Sequence, residues 1–136
     1  MSAKDIVKAF YSSDLANDAN VVSKFFSKES ELHWMSSQGF MLLKYDDIVI
    51  FFEGTRKSYN NLRFEFTHFI EAGDSIITRH TIFANTIENP DDEVMLAHFS
   101  TIWEVKDGKL HRGYEISHQA DENDAASMKS YTERKV

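Results

Sequence analysis

Residues 94–118, VMLAHFSTIWEVKDGKLHRGYEISH, decide the fold of this chain. Val94, Leu96, His98, Ser100 and Ile102 alternate with Met95, Ala97, Phe99, Thr101 and Trp103, the period of two that marks a β-strand with two distinct faces. Asp107-Gly108 supplies the positive φ values of a tight hairpin turn, and Leu110 to His118 returns as the partner strand with Glu115 in its middle. A carboxylate, two histidines and a serine in one hairpin point to a sheet face that lines a pocket. On this reading His98 and Ser100 share the pocket side with Leu96 and Ile102.

Two more strands precede the hairpin. Leu62, Phe64, Phe66, His68 and Ile70 alternate with more polar neighbours, and Ser75 to Glu88 places Ile76, Thr78, His80, Ile82 and Ala84 on one face and Arg79 on the other. With turns at Ala72-Gly73-Asp74 and Asn89-Pro90, the four strands form an antiparallel meander. Upstream the period is helical. Ser2 and Asp5 cap a first helix carrying Ile6, Ala9 and Phe10, and Val21, Val22, Phe25 and Phe26 mark a short second one. Glu31 to Ser36 reads as a short strand with Trp34 and His33 on opposite faces, and Phe40 to Leu43 is an apolar run that periodicity does not assign. A third helix follows from Asp46 to about Lys57, with Ile48, Phe51 and Phe52 on one side. Residues 119–136 read as a polar tail, at most a frayed helix capped by Asn123 or Asp124. Helices followed by long antiparallel strands predict an α+β fold, a single domain over 1–136. Its N-terminal helices pack on a curved, mostly antiparallel sheet that forms a cone with an internal pocket.

Composition narrows the function. The chain carries 15 basic and 22 acidic residues, a net charge of −7, with the basic ones scattered, so a phosphate backbone would be repelled and nucleic acid is not an expected partner. Cysteine is absent, which removes disulfides, thiol nucleophiles and thiolate metal sites and fits a reducing compartment, here the cytoplasm. Charged residues interrupt every apolar run of the first 20 residues, so neither a secretion signal nor a membrane span is expected. Eleven Phe, two Trp and five Tyr suit a deep apolar pocket, a sheet face that meets a second subunit, or both. Phe69, Phe83, Phe99 and Trp103, placed on the outer face, predict a homodimer through the sheet.

The chemistry-bearing candidates follow from strand parity. His80 and His98, with His68 extending the row, face Glu115 across a common hollow, and a desolvated glutamate there would titrate near neutrality and serve as acid or base. The plainer reading makes each histidine a hydrogen-bonded core residue and Glu115 a solvated one. Trp34 and Tyr11 would stack on a flat ligand, with Phe52 and Ser100 beside them, or simply fill the core. No compact histidine pair with metal-ligand spacing exists, so no metal and no cofactor are expected.

The order helix, helix, short strand, helix, four long strands resembles the nuclear-transport-factor-2-like superfamily of cone-shaped folds, and within it the SnoaL-like group. The resemblance covers roughly residues 3–120 and rests on this layout, on Leu15 to Phe26 and on Gly108 to Ile116. In SnoaL-type cyclases the last strand carries a His-Trp-Asp-like tripeptide with a catalytic acid. Gly113-Tyr114-Glu115 falls on it, so Glu115 takes the acid's place while Gly113 departs from the histidine. Ketosteroid isomerases would place their tyrosine and two acids at Phe10, Ser100 and Trp34, where none of these groups remains. Limonene-epoxide-hydrolase-like members would place theirs at His98, Ser100 and Glu115, keeping one acid. Scytalone-dehydratase-like members use two inner histidines, to which His80 and His98 are similar. The resemblance implies a cone that binds a hydrophobic, cyclic small molecule. Cofactor-free proton transfer of isomerase, dehydratase or cyclase type is one implication, and a non-catalytic binding or structural homodimer is the other.

Overall fold

The computed structural model describes residues 1–136. The chain order is α1 (Ala3–Ser12), α2 (Val21–Phe25), β1 (Phe26–Ser36), β2 (Gly39–Lys44), α3 (Tyr45–Ser58), β3 (Tyr59–Ala72), β4 (Ser75–Thr86), β5 (Glu93–Lys106), β6 (Lys109–Gln119) and α4 (Ala125–Thr132). The strands form one sheet in the order β2-β1-β6-β5-β4-β3. Every pair is antiparallel except β1 with β6. The sheet is curved and unclosed, with β2 and β3 as its edges. Register shifts at Phe66/His68 and Ile82/Phe83 insert bulges, which sharpen the local twist and bend the long strands around the helices.

The expected elements form, with two differences upstream of the long strands. The run Phe40 to Leu43 is β2, because pairing with β1 satisfies its backbone as a hairpin arm across the Ser37-Gln38 turn. Strand β1 starts at Phe26, five residues before the expected start, so the second helix has barely one turn. Helix α3 ends at Ser58, within a residue of its expected end, with Gly54 inside it. At the start of α1, Ser2 Oγ accepts from Asp5 N while Asp5 Oδ2 accepts from Ser2 N, each at 3.1 Å, a reciprocal cap that satisfies two free amides. At the β5–β6 turn both Asp107 (φ 52) and Gly108 (φ 76) adopt the left-handed conformation that a two-residue hairpin needs.

The core lies in the concavity of the sheet. Ile6, Val7 and Phe10 of α1, Val21 and Val22 of α2, and Ile48 of α3 pack with Phe26, Leu32, Ile76, Trp103 and Leu110 of the strands. Trp103 is central, edge-on to Phe10 at 5.7 Å and to Phe26 at 5.9 Å.

The tail is docked. Asp124 caps α4, and Arg79 on the outer sheet face donates to both the carbonyl and Oγ of Ser130 while its guanidinium lies 3.8 Å from the centre of the Tyr131 ring. Beyond the helix, Arg134 and Val136 donate to the carbonyls of Thr67 and Phe66 on the edge strand. Polar composition hid this, because the docking uses hydrogen bonds and one aromatic ring. No helix is long and apolar enough to cross a membrane.

Candidate functional site

Cross-strand register decides which side chains meet inside the concavity. Strand β4 turns Ile76, Thr78, His80 and Ile82 inward, as its alternation predicts. On β6 the inward residues are Gly113, Glu115 and Ser117. Strand β5 pairs Thr101 with Glu115 and Phe99 with His80, so its odd residues Phe99, Thr101 and Trp103 face in. Of these, His80, Ile82, Phe99, Trp103, Glu115 and Ser117, with Trp34 and Leu32 of β1, Phe64 of β3, Phe10 and Tyr11 of α1, and Phe51 and Phe52 of α3, line a hollow of about 780 Å³. Exposed residues at its rim include Ser37, Gln38, Met41, Ile50 and Gly54.

Polar groups gather on one wall. Thr101 Oγ1 donates to Glu115 Oε1 at 2.8 Å, its one side-chain partner in the protein. Trp103 Nε1 donates to the Tyr11 hydroxyl at 2.9 Å, Thr78 Oγ1 lies 3.2 Å from His80 Nδ1, and Trp34 Nε1 donates to Ser117 Oγ at 2.8 Å. The His80 ring stacks on Phe99, 5.3 Å between centres and 3° between planes, with Tyr11 at 5.1 Å. Burial pushes Glu115 up to about 7, the Thr101 hydrogen bond pulling slightly the other way. Burial pushes His80 down to about 3, so at neutral pH its imidazole is uncharged. Tyr11 is raised above the ordinary tyrosine range by burial and then by the Glu115 charge, and stays a phenol.

A protonation test of this geometry follows from linkage. The folded protein holds the Glu115 proton more tightly than the unfolded chain between 4.5 and about 7, so stability drawn from this group falls as pH rises through that window. At about 1.4 kcal/mol per unit, the stability of Glu115→Gln relative to the unsubstituted protein should rise by roughly 3 kcal/mol from pH 4.5 to 7. Urea unfolding at several pH values reads this difference. His80 has the opposite slope, losing stability as pH falls from 6.5 toward 3, but it is present in both proteins and cancels.

Of the residues singled out in the sequence, Glu115, His80, Trp34, Tyr11 and Phe52 line the hollow. His98, Ser100 and His68 do not. The parity of β5 is the reverse of the expected one because Phe99 and Trp103 bring far more apolar area to the concavity than the even residues would. His98 therefore points outward, where Thr81 Oγ1 meets its Nδ1 at 2.8 Å and Tyr131 stacks on it at 3.8 Å. Burial, then the charges of Arg79 and His118, lower its pKa. Ser100 lies exposed on the same outer face, paired in register with Arg79. For His68 the cause is the bulge at Phe66/His68, which moves the inward position from even to odd, so that Phe69 faces Tyr11 and His68 pairs with Arg79 outside. The set of three histidines and Glu115 is thus split between two faces and cannot converge on a metal. Phe69, Phe99 and Trp103, expected on the outer face, lie within, while Phe83 stays outside under Arg63.

Thr101, Trp103, Phe99 and Ser117 were missed as site residues. For Phe99 and Trp103 the signal was present, since the two largest rings of β5 both fall on odd positions, the row to which Thr101 also belongs. The structure also accounts for Gly113. A Cβ there would sit 2.7 Å from both Leu32 Cδ1 and Trp103 Cζ3, so the tryptophan occupies the space a longer residue would need.

Several solved structures share this architecture. A hypothetical protein with a ketosteroid isomerase-like fold from Catenulispora acidiphila DSM 44928, in complex with trimethylamine, aligns with a TM-score of 0.64 at 14% identity, covering 81% of this chain and 82% of that one. An NTF2-like protein of unknown function from Burkholderia pseudomallei K96243 aligns with a TM-score of 0.62 at 18% identity over 96% and 98% of the two chains. An LEH-like epoxide hydrolase from M. tuberculosis gives 0.67 at 14% identity over 85% and 81%. At such identities the likeness is one of fold. A search of curated proteins finds no match to this sequence. The family model for the SnoaL-like domain matches residues 7–113, ending two residues before Glu115. The match takes in α1 from Val7 through the start of β6, and by it the chain belongs to the SnoaL-like domain family of the NTF2-like superfamily.

Proposed function

We propose that the hollow binds a hydrophobic, cyclic small molecule and that Glu115 moves a proton on it without a cofactor, in an isomerase, dehydratase or cyclase type of step. The observation that carries this reading is a lone carboxyl group set among aromatic walls. It is held by Thr101 and raised by burial to about 7, where a carboxyl can both take and return a proton under physiological conditions. His80, uncharged and lining the same hollow, can orient a polar atom of the ligand. The test is deuterium exchange at the α-carbon of 2-tetralone in D₂O, followed by NMR. The protein should accelerate exchange, with a rate that climbs as Glu115 ionises near pH 7. Binding of the ketone with no acceleration would instead support the non-catalytic binding protein.

We further propose that two copies pair through the outer sheet face. Ile70, Ile77, Ile102, Tyr114, His33 and Leu42 stand in register across all six strands, and four of them are aliphatic residues left more than a third exposed. Burying such a row against its own copy removes apolar surface from both chains at once. Ile102→Glu should convert a dimer into a monomer, read by light scattering on a sizing column, and leave the hollow on the opposite face unchanged. A parent protein that is already monomeric at high concentration would refute the pairing.

A further inference from the structure

The lining of the hollow carries one acidic side chain and no lysine or arginine. The acid is Glu115, and Thr101 occupies only Oε1, leaving Oε2 without a protein partner. Around it stand the aromatic rings of Trp34, Phe99, Phe51, Phe64 and Tyr11, with Trp34 and Phe99 stacked at 30° and Phe51 edge-on to Trp34 at 5.2 Å. A ligand anion would meet π-faces and a carboxylate, with no cation to balance it, in a chain whose net charge is already −7. A ligand cation would meet what such a site offers: the negative faces of the rings and a carboxylate oxygen that burial has already drawn out of bulk water.

We propose that the ligand of this hollow is an amine, a hydrophobic ring system carrying an ammonium group that docks on Glu115 within the aromatic walls. This rests on the reading of the hollow as a ligand site and adds the charge class of what enters it. The groups facing Glu115 are consistent with it. From α1 comes the Tyr11 phenol, from β4 the uncharged His80 imidazole, from β5 the Thr101 hydroxyl and from β1 the Trp34 indole, so no protein cation competes for the carboxylate. A bound ammonium would also hold Glu115 in its ionised form, turning a half-protonated acid into the base that proton transfer requires.

Three molecules on one skeleton test the inference: 2-aminotetralin, 2-tetralol and tetralin-2-carboxylate, titrated into the full chain by calorimetry at pH 8. The amine should bind about tenfold or more tighter than the alcohol, and the carboxylate should show no binding. Glu115→Gln should bring the amine down to the affinity of the alcohol for the same variant. At pH 6.5 amine binding should release a proton, seen as a heat that changes with the ionisation enthalpy of the buffer. An alcohol that binds as tightly as the amine, or an amine preference that survives Glu115→Gln, would overturn the charge class and leave the hollow standing as a ligand site. Failure of all three to bind would overturn both.

Discussion

Glu115→Gln is expected to slow the α-proton exchange of 2-tetralone by roughly two to four orders of magnitude, the usual contribution of a positioned general base. Glutamine keeps the length of the side chain and an oxygen for the Thr101 hydroxyl, so the contact made at 2.8 Å has a direct substitute. What it cannot do is accept a proton. The loss should therefore appear in kcat with KM nearly unchanged, and the rise of rate through pH 7 should vanish with it. His80→Gln separates the two candidates for the base. His80 is pushed to about 3, so as a base it would already be fully active well below neutrality and would give a rate flat from pH 5 to 8. A wild-type profile of that flat shape, or a Glu115→Gln rate equal to wild type, would remove Glu115 from the chemistry.

Trp103→Ala is expected to destabilise the fold by about 3–5 kcal/mol, the range for deleting a large buried ring. The residue is 3% exposed, touches Phe10 and Phe26 edge-on, and donates to the Tyr11 hydroxyl. Its removal opens a cavity between α1 and the sheet and strips the buried phenol of its indole donor. Against a typical total stability of about 5–15 kcal/mol, the variant should show a large drop in urea midpoint. Trp103→Phe refills most of the volume and loses only the hydrogen bond, so it should cost about 1–2 kcal/mol. If alanine and phenylalanine cost the same, the hydrogen bond and not the packing holds α1 in the concavity.

The sheet was legible because alternation, the Asp107-Gly108 turn and the capped first helix are local signals, each resolved within a few residues. Face assignment was legible only where a strand runs without interruption. On β4 the inward row that includes His80 could be read directly, and on β6 so could Glu115. On β3 a single bulge beside Thr67 reversed the row, and nothing in the composition of Phe66-Thr67-His68 announces an extra residue. On β5 both rows are partly apolar, and the choice fell to ring volume: Phe99 and Trp103 fill a concavity that Ser100 and Ile102 would leave underpacked, while Leu96 reaches the hollow only because the strand bulges there. The tail was hidden for a different reason, since Tyr131 docks on Arg79 and His98, which lie 30 or more residues away in sequence.

What the sequence alone determined is the main helices and long strands, their order and the carboxyl group at the middle of the last strand, because backbone periodicity and turn chemistry are properties of neighbours along the chain. Only the tertiary structure decided which histidine shares a cavity with that carboxyl group. That choice depends on bulges and on competition between rows of side chains for a limited volume, and both are settled between strands rather than within them.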